Sequence, residues 1–176
     1  MQTVSMDIGV FAHNEAAGIG ALIADLGRQS IFRRPDIDLR ILILANGCTD
    51  DTVPVARRAI QALTQDISAL IEVFDLSEGG KSRTGHAYIH TLSRPDLDLI
   101  AFMDGDIRLP QAETLERMAD HMQATPGLRA FSSRPIKDVV HDNVPLRGAA
   151  RLIAMGGDGL TDFRKSICGQ LFVLRA

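Results

Sequence analysis

The chain has 176 residues, 45% of them hydrophobic and 23% charged, which suits a single domain with a sizeable core. Its net charge of −3 argues against binding to nucleic acid or to an anionic membrane, and no apolar run approaches the ~20 residues that span a bilayer. The two cysteines provide neither a disulfide framework nor a zinc motif, and no signal peptide is visible, so we predict a cytoplasmic protein.

Strands and helices are predicted to alternate from the N-terminus. Residues 4–12 are apolar and β-branched and predict a strand, and apolar residues at helical spacing predict a helix over 15–28. The nearly continuous apolar run over 39–45 predicts a strand that is covered on both faces. A second helix is expected to begin near Thr52, because Pro54 is tolerated in a first helical turn.

The later part of the chain continues the same alternation. The remaining predicted elements are strands over 69–74, 97–103, 128–132 and 171–174, and helices over 81–92, 111–124 and 145–155. This order predicts an α/β fold, a three-layer sandwich whose mostly parallel, Rossmann-like sheet carries helices on both faces.

Four predicted strands end in polar segments, and the carboxyl ends of parallel strands meet at one edge of a sheet, where ligands bind. The segments are Ala12-His13-Asn14-Glu15, Asn46-Gly47-Cys48-Thr49-Asp50-Asp51-Thr52, Gly79-Gly80-Lys81-Ser82 and Asp104-Gly105-Asp106. The carboxylates of Asp104 and Asp106 have the spacing to share a hard divalent cation, although the tripeptide is also typical of a strand-ending turn.

The other segments also have two interpretations each. Asn14 either caps the following helix or belongs to a binding turn. Asn46-Gly47 is typical of a turn and Thr49, Asp50 and Asp51 are typical of helix caps, but the seven polar or small residues of that segment exceed what one cap needs. Lys81, after two glycines at the start of a helix, is placed to meet a phosphate. A complete P-loop is disfavoured, because Asp75 occupies the position of its first glycine.

Together, the four segments resemble the nucleotide-sugar-binding half of a family 2 glycosyltransferase with the GT-A fold. The resemblance extends over residues 4–133 and rests on the order and spacing of the segments. It implies, within one domain over 1–176, a nucleotide-sugar-binding portion over 1–133 and the start of an acceptor-side portion over 134–176. It also implies two partners, a nucleoside-diphosphate sugar donor and an acceptor that is a glycan, a lipid or a small molecule. A location at the cytoplasmic face of the membrane is an alternative to the bulk cytoplasm.

The resemblance also implies site residues. Those for the nucleotide sugar are Ala12, His13, Asn14, Glu15, Asn46, Gly47, Lys81 and Asp104. Asn46 occupies the position that contacts the base. Asp106, together with Asp104, is implied to hold a Mg²⁺ or Mn²⁺ cofactor against the donor diphosphate, which would neutralise the leaving nucleoside diphosphate.

The sequence departs from the family pattern at His13, where Tyr is common, and at Asn46, where Asp is common. The base of the donor can therefore be either uracil or guanine. Inverting members use a carboxylate base in an acidic motif that follows the strand resembled by residues 168–174, and this chain ends before such a motif. We therefore expect a chain truncated at its C-terminus that binds donor and metal but turns over poorly. The late carboxylates are interpreted as surface loop residues: Asp142, Asp158 and Asp162.

Two other functions remain as alternatives. A nucleotidyltransferase also uses a parallel sheet and carboxylate-held Mg²⁺, but the segment after the first strand lacks the Arg or Lys that such an enzyme would want there. A non-catalytic nucleotide-binding or scaffold module is the second alternative. Nucleotide binding that depends on a metal would separate the glycosyltransferase from the scaffold.

Overall fold

The computed structural model describes residues 3–133 and 170–176, and it has the α/β architecture predicted from the sequence. Within these two ranges six strands form one sheet: β1 Val4–Ala12, β2 Ile37–Asn46, β3 Ile71–Leu76, β4 Leu99–Asp104, β5 Ala130–Ser132 and β6 Leu171–Arg175. The helices are α1 Ile19–Leu26, α2 Thr52–Gln61, the single turn α3 Gln65–Ser68, α4 Lys81–Ala87 and α5 Thr114–Ala124. A 3-10 turn covers Ser30–Arg33, and a π-helical turn, Tyr88–Leu92, extends α4.

The strand order is β3-β2-β1-β4-β6-β5. β2 and β3 therefore lie on one side of β1, and β4, β6 and β5 lie on the other. β1, β2, β3 and β4 are parallel, whereas β6 runs antiparallel to both β4 and β5. The strand order therefore reverses between β1 and β4. In open α/β sheets the crevice beyond the carboxyl ends of the strands at this point is the usual ligand site.

The register brings the ends of the central strands level with one another. Ala12 pairs with Ala45 of β2, and Phe11 pairs with Asp104 of β4. The four polar segments consequently meet at one edge, as the sequence predicted.

Helices cover both faces of the sheet, because the central strands are apolar on both sides. The larger core holds the apolar faces of α1, α2 and α5 against one face, with Ile8, Val10 and Ile41 among its fully buried side chains. The smaller core lies on the other face, where Tyr88 of the π-helical turn packs with Leu42. Tyr88 donates a hydrogen bond of 3.1 Å to the carbonyl of Ala101, which fixes this helix to β4.

The first helix begins at Ile19, and the prediction that it starts at residue 15 is wrong. Residues 16–18 form a turn before the helix, and Asn14 itself lies in the left-handed region with a φ of 56°. Of the two interpretations of Asn14, the helix cap is wrong, because Gly18 is the N-cap residue and the Asn14 side-chain oxygen accepts a hydrogen bond of 2.8 Å from the Thr49 amide. Tertiary hydrogen bonds have overridden a local preference.

The other element boundaries differ by a few residues. Strand β3 begins at Ile71 rather than at residue 69, because the unpredicted turn α3 ends just before it. Strand β5 begins at Ala130 and helix α5 at Thr114, each later than predicted. The predicted helix over 145–155 and the late carboxylates lie outside the described residues. Within the described ranges, none of the helices has the length and apolar character needed to cross a membrane.

Candidate functional site

An open cleft of about 510 Å³ lies at the carboxyl edge of the sheet, where the strand order reverses. Its walls come from the ends of β1, β2 and β4 and from the start of α4. The lining residues are Phe11, His13, Glu15, Asn46, Gly79, Gly80, Lys81, Asp104, Gly105 and Asp106. Segments that are up to 95 residues apart in the chain, from Phe11 to Asp106, thus form one concave surface.

The acidic tripeptide is held against the end of β1 by its central glycine. The Gly105 amide donates a hydrogen bond of 2.8 Å to the Phe11 carbonyl. A Cβ at position 105 would lie 2.9 Å from that carbonyl oxygen and 3.1 Å from Ala12, so no larger residue fits without a shift of the backbone. The glycine therefore places Asp104 and Asp106 beside the end of β1, and its role is more than to allow a turn.

Lys81 reaches across the cleft to the acidic tripeptide. Gly80 is the N-cap residue of α4, and Lys81 is the first residue of the helix. The Lys81 Nζ lies 2.6 Å from Asp104 Oδ1, although about two thirds of the lysine side chain is exposed. An ion pair with so exposed a partner contributes little to stability, so the ammonium group can exchange partners at small cost.

The cleft carries an excess of negative charge. Burial raises the pKa of Glu15 above its ordinary value of 4.5, and the carboxylates of Asp106 and Asp50 raise it further. Lys81 is the only lysine or arginine among the described residues that line the cleft. Three acidic side chains facing one exposed lysine make a site that favours an added cation.

Asp50, which the sequence suggested as a routine helix cap, and Thr52, the first residue of α2, support the backbone that follows β1. Thr52 Oγ1 accepts a hydrogen bond of 2.7 Å from the Glu15 amide, and Asp50 Oδ2 accepts one of 3.0 Å from the Ala16 amide. The Thr52 hydroxyl is the main cause that lowers the pKa of Asp50 below 3.8. These partners lie more than thirty residues away in sequence, so local pattern alone gave no signal of this role.

The structure brings together most, but not all, of the site residues predicted from the sequence. Those that line the cleft are His13, Glu15, Asn46, Lys81, Asp104 and Asp106. The other three do not line it. Ala12 is fully buried, Asn14 is exposed and bonded to Thr49, and Gly47 packs against Gly79. Phe11, Gly79, Gly80 and Gly105 complete the lining and had not been assigned to the site.

The donor atoms of the cleft fit a hard divalent cation, because the carboxylates of Asp104 and Asp106 offer oxygen ligands in an acidic surrounding. Within residues 3–133 and 170–176, no group of three or more His, Cys, Asp or Glu side chains is placed to hold a metal ion. A cation bound by one or two carboxylates typically completes its shell with water and phosphate oxygens, as Mg²⁺ does.

Comparison with solved structures supports the fold. A mannosyltransferase from Pyrobaculum calidifontis, in complex with GDP-Man and Mn²⁺, matches 97% of this chain with a TM-score of 0.68 at 18% identity, over 44% of its own length. Mannosyl-3-phosphoglycerate synthase from Rubrobacter xylanophilus matches 98% with a TM-score of 0.63 at 17% identity, over 54% of its length. Glucosyl-3-phosphoglycerate synthase from Mycobacterium tuberculosis, with Mg²⁺ and UDP, matches 98% with a TM-score of 0.60 at 18% identity, over 56% of its length. The chain thus spans about half the length of these structures.

The sequence identifies the family, although it matches no individual curated protein. The model of glycosyl transferase family 2 matches residues 7–165, which include all four polar segments at the strand ends. The fold is therefore the GT-A type expected from the resemblance, and the chain belongs to glycosyl transferase family 2.

Proposed function

We propose that this chain binds a nucleoside-diphosphate sugar through a divalent metal and that the protein transfers the sugar to an acceptor with inversion. The observation that carries the proposal is the cleft at the reversal of strand order, where Asp104 and Asp106 face Lys81. An anionic diphosphate and an acidic cleft require a cation between them, and a basic side chain is already placed at the same point.

The proposed arrangement divides the cleft into two parts. Asp104 and Asp106 would hold a Mg²⁺ or Mn²⁺ ion, which would offset the charge of the diphosphate, and Lys81 would turn from Asp104 to a phosphate oxygen when the donor binds. The segment Ala12-His13-Asn14-Glu15, with Asn46-Gly47 behind it, surrounds the nucleoside. When bound, the metal would stabilise the charge that develops on the leaving nucleoside diphosphate.

Two of the structural neighbours support the choice of ligand without settling it. One is a complex with GDP-Man and Mn²⁺, and another is a complex with Mg²⁺ and UDP. Both base types therefore belong in the test.

Thermal melting with GDP or UDP, each with and without Mn²⁺, tests the proposal. A ligand at about 100 times its Kd stabilises the folded state by about 2.7 kcal/mol, which raises Tm by several degrees. We expect such a rise with at least one nucleotide, only when Mn²⁺ is present, and we expect Asp106→Ala to abolish it.

The control is Asp66→Ala, which removes an exposed carboxylate of α3 that does not line the cleft. This variant should show the same ligand-induced rise in Tm as the parent protein. If neither nucleotide raises Tm with Mn²⁺, the donor site is refuted and the non-catalytic scaffold is favoured. A rise that persists in Asp106→Ala would remove the acidic tripeptide from the site.

A further inference from the structure

Asn46 is unlike the other side chains of the cleft, because both ends of its amide are bound to the protein. Its side chain is buried, with 5% of the residue exposed. The Nδ2 group donates a hydrogen bond of 2.8 Å to the Ala12 carbonyl, and the Oδ1 atom accepts one of 3.2 Å from the Gly80 amide. One side chain at the end of β2 therefore joins the end of β1 to the loop that precedes α4.

The backbone of Asn46 extends this connection to His13. The Nδ1 atom of His13 lies 2.7 Å from the Asn46 carbonyl oxygen, which can only accept. The proton of a neutral His13 ring must therefore be on Nδ1, and its Nε2 is an acceptor. Asn46 thus determines the tautomer of a histidine that lines the cleft.

Gly47 brings the loop before α4 into close contact with the end of β2. Its φ is +59°, a conformation that favours glycine, and a Cβ there would lie 2.6 Å from the Gly79 nitrogen. The Gly79-Gly80 segment therefore rests directly on Asn46-Gly47. Lys81 follows this segment at once, so its position depends on the same support.

We propose that Asn46 is a positioning residue: its amide holds Ala12-His13 and Gly80-Lys81 in the arrangement that binds a nucleoside diphosphate, and it does not read the base. The part that concerns binding rests on the proposed function. The reason is chemical, because an amide can donate to Ala12 and accept from Gly80 at once, whereas a carboxylate can only accept. The Asp that is common at this position in the family is not equivalent here.

Gln29 offers a matched control far from the cleft. Its buried amide also donates to backbone carbonyls, Gln111 at 2.9 Å and Asp25 at 3.5 Å, and accepts from one backbone amide, Leu115 at 3.2 Å. It does not line the cleft. Gln29→Ala therefore removes the same two kinds of hydrogen bond without touching the proposed site.

The first test needs no ligand. Amide hydrogen exchange by NMR should show exchange at Gly80 that is faster by about tenfold in Asn46→Ala, the effect of losing about 1.4 kcal/mol of protection. Asn46→Asp should keep Gly80 protected, because its carboxylate still accepts. Gln29→Ala should leave Gly80 unchanged. Unchanged exchange at Gly80 in Asn46→Ala would overturn the proposal.

A second variant covers the case in which Asn46→Ala does not fold. In Asn46→Asp the ionised carboxylate faces the Ala12 carbonyl, whereas its protonated form supplies an O–H donor. The folded-state pKa of the introduced group is therefore raised, so its Tm deficit relative to the parent protein should shrink as the pH falls from 7 to 5. The comparison at each pH removes the contributions that the two proteins have in common. A deficit that does not change with pH would contradict the assigned role of Nδ2.

Nucleotide affinity completes the test. With Mn²⁺ present, Asn46→Ala should weaken GDP and UDP by the same factor, about tenfold, whereas Gln29→Ala should bind both as the parent protein does. Unequal losses would show that Asn46 reads the base, and equal affinity to the parent would show that positioning is unnecessary; either result overturns the proposal. If the parent protein binds neither nucleotide, the proposed function fails, and the Gly80 exchange still decides whether Asn46 holds the loop.

Discussion

Two sets of carboxylates in this protein have opposite surroundings. Asp7 and Asp25 are completely buried, and each is surrounded by arginine side chains. The carboxylates of the cleft lie beside one another, and Lys81 is the one lysine or arginine among the lining residues that the structure describes. The buried carboxylates join parts of the fold through ion pairs, whereas the carboxylates of the cleft are left with an excess of negative charge.

The buried set is fully hydrogen-bonded. Asp7 accepts hydrogen bonds from Arg40 and from both the side chain and the backbone amide of Arg94. Asp25 accepts from Arg108 and from the Leu109 amide. Charges withdrawn from water must be paired in this way, or they destabilise the folded state. These ion pairs therefore belong to the architecture.

The carboxylates of the cleft are not all paired in this way, and this difference from the buried carboxylates indicates where a ligand would bind. Glu15 has a raised pKa because it is partly buried beside other carboxylates, a state that costs stability and that a bound cation would relieve. Removal of a charge should therefore have opposite effects in the two regions. The following predictions test that contrast.

Asp7→Asn should give the largest loss of stability, about 3 kcal/mol, because it removes the buried negative charge with which both Arg40 and Arg94 pair. Urea unfolding measures the free energy. Asp38→Asn is the control, since this exposed residue pairs with Arg94 at the surface and should cost less than about 1 kcal/mol. Equal losses in the two variants would contradict the distinction between buried and exposed pairs.

Asp25 should contribute to the pH dependence of stability. Burial acts to raise its pKa, but hydrogen bonds from Arg108 and the Leu109 amide outweigh burial and hold the pKa below 3.8. A lowered folded-state pKa gives stability that is present above the unfolded value and lost as pH falls through the folded value. Urea unfolding between pH 6 and pH 3 should show a steeper loss in the parent protein than in Asp25→Asn. Parallel curves would rule out this contribution.

Asp106→Asn should lower the pKa of Glu15 toward its ordinary value, because the Asp106 charge is the second cause of the increase, after burial. NMR titration of the Glu15 carboxyl carbon measures this change. The variant should be at least as stable as the parent protein, since a like charge is removed. Asp66→Asn should leave the Glu15 titration unchanged. An unaltered Glu15 pKa in Asp106→Asn would mean that the two carboxylates do not interact.

Lys81→Ala should have the smallest effect on the free energy of unfolding, less than about 1 kcal/mol, although its ion pair with Asp104 is short. Most of the lysine side chain is exposed, so water screens the pair. Lys81→Arg keeps the charge and serves as the control in the same urea unfolding experiment. A loss close to that of Asp7→Asn would place Lys81 among the architectural ion pairs and remove it from the binding region.

The segments at the strand ends could be found from the sequence because each carries a local signal. An apolar run followed by Asp104-Gly105-Asp106 predicts both the strand and its acidic end, and Gly80-Lys81 predicts the start of a helix. The parallel order then follows from the alternation of strands and helices. These features depend on neighbours in the chain, and the family match agrees with them.

Other features depended on contacts between distant residues. Asn14 suggested a helix cap, yet its side chain accepts a hydrogen bond from Thr49. Asp50 and Thr52 lie at the start of α2, but they also accept hydrogen bonds from the backbone that follows β1. From the sequence, Asn46 is interpreted as part of a routine turn or, through the resemblance, as a contact to the base. Its use of both amide ends became visible only when β1 and the loop before α4 were placed beside it.

The sequence by itself determined the order of the elements, the apolar cores and the acidic tripeptide, because periodicity and turn chemistry are local. The tertiary structure alone decided which polar groups are satisfied and which are left facing the cleft. A hydrogen bond to a backbone group more than thirty residues away leaves no local pattern. The same residue types, Asp and Asn, therefore serve the architecture at one position and the candidate site at another.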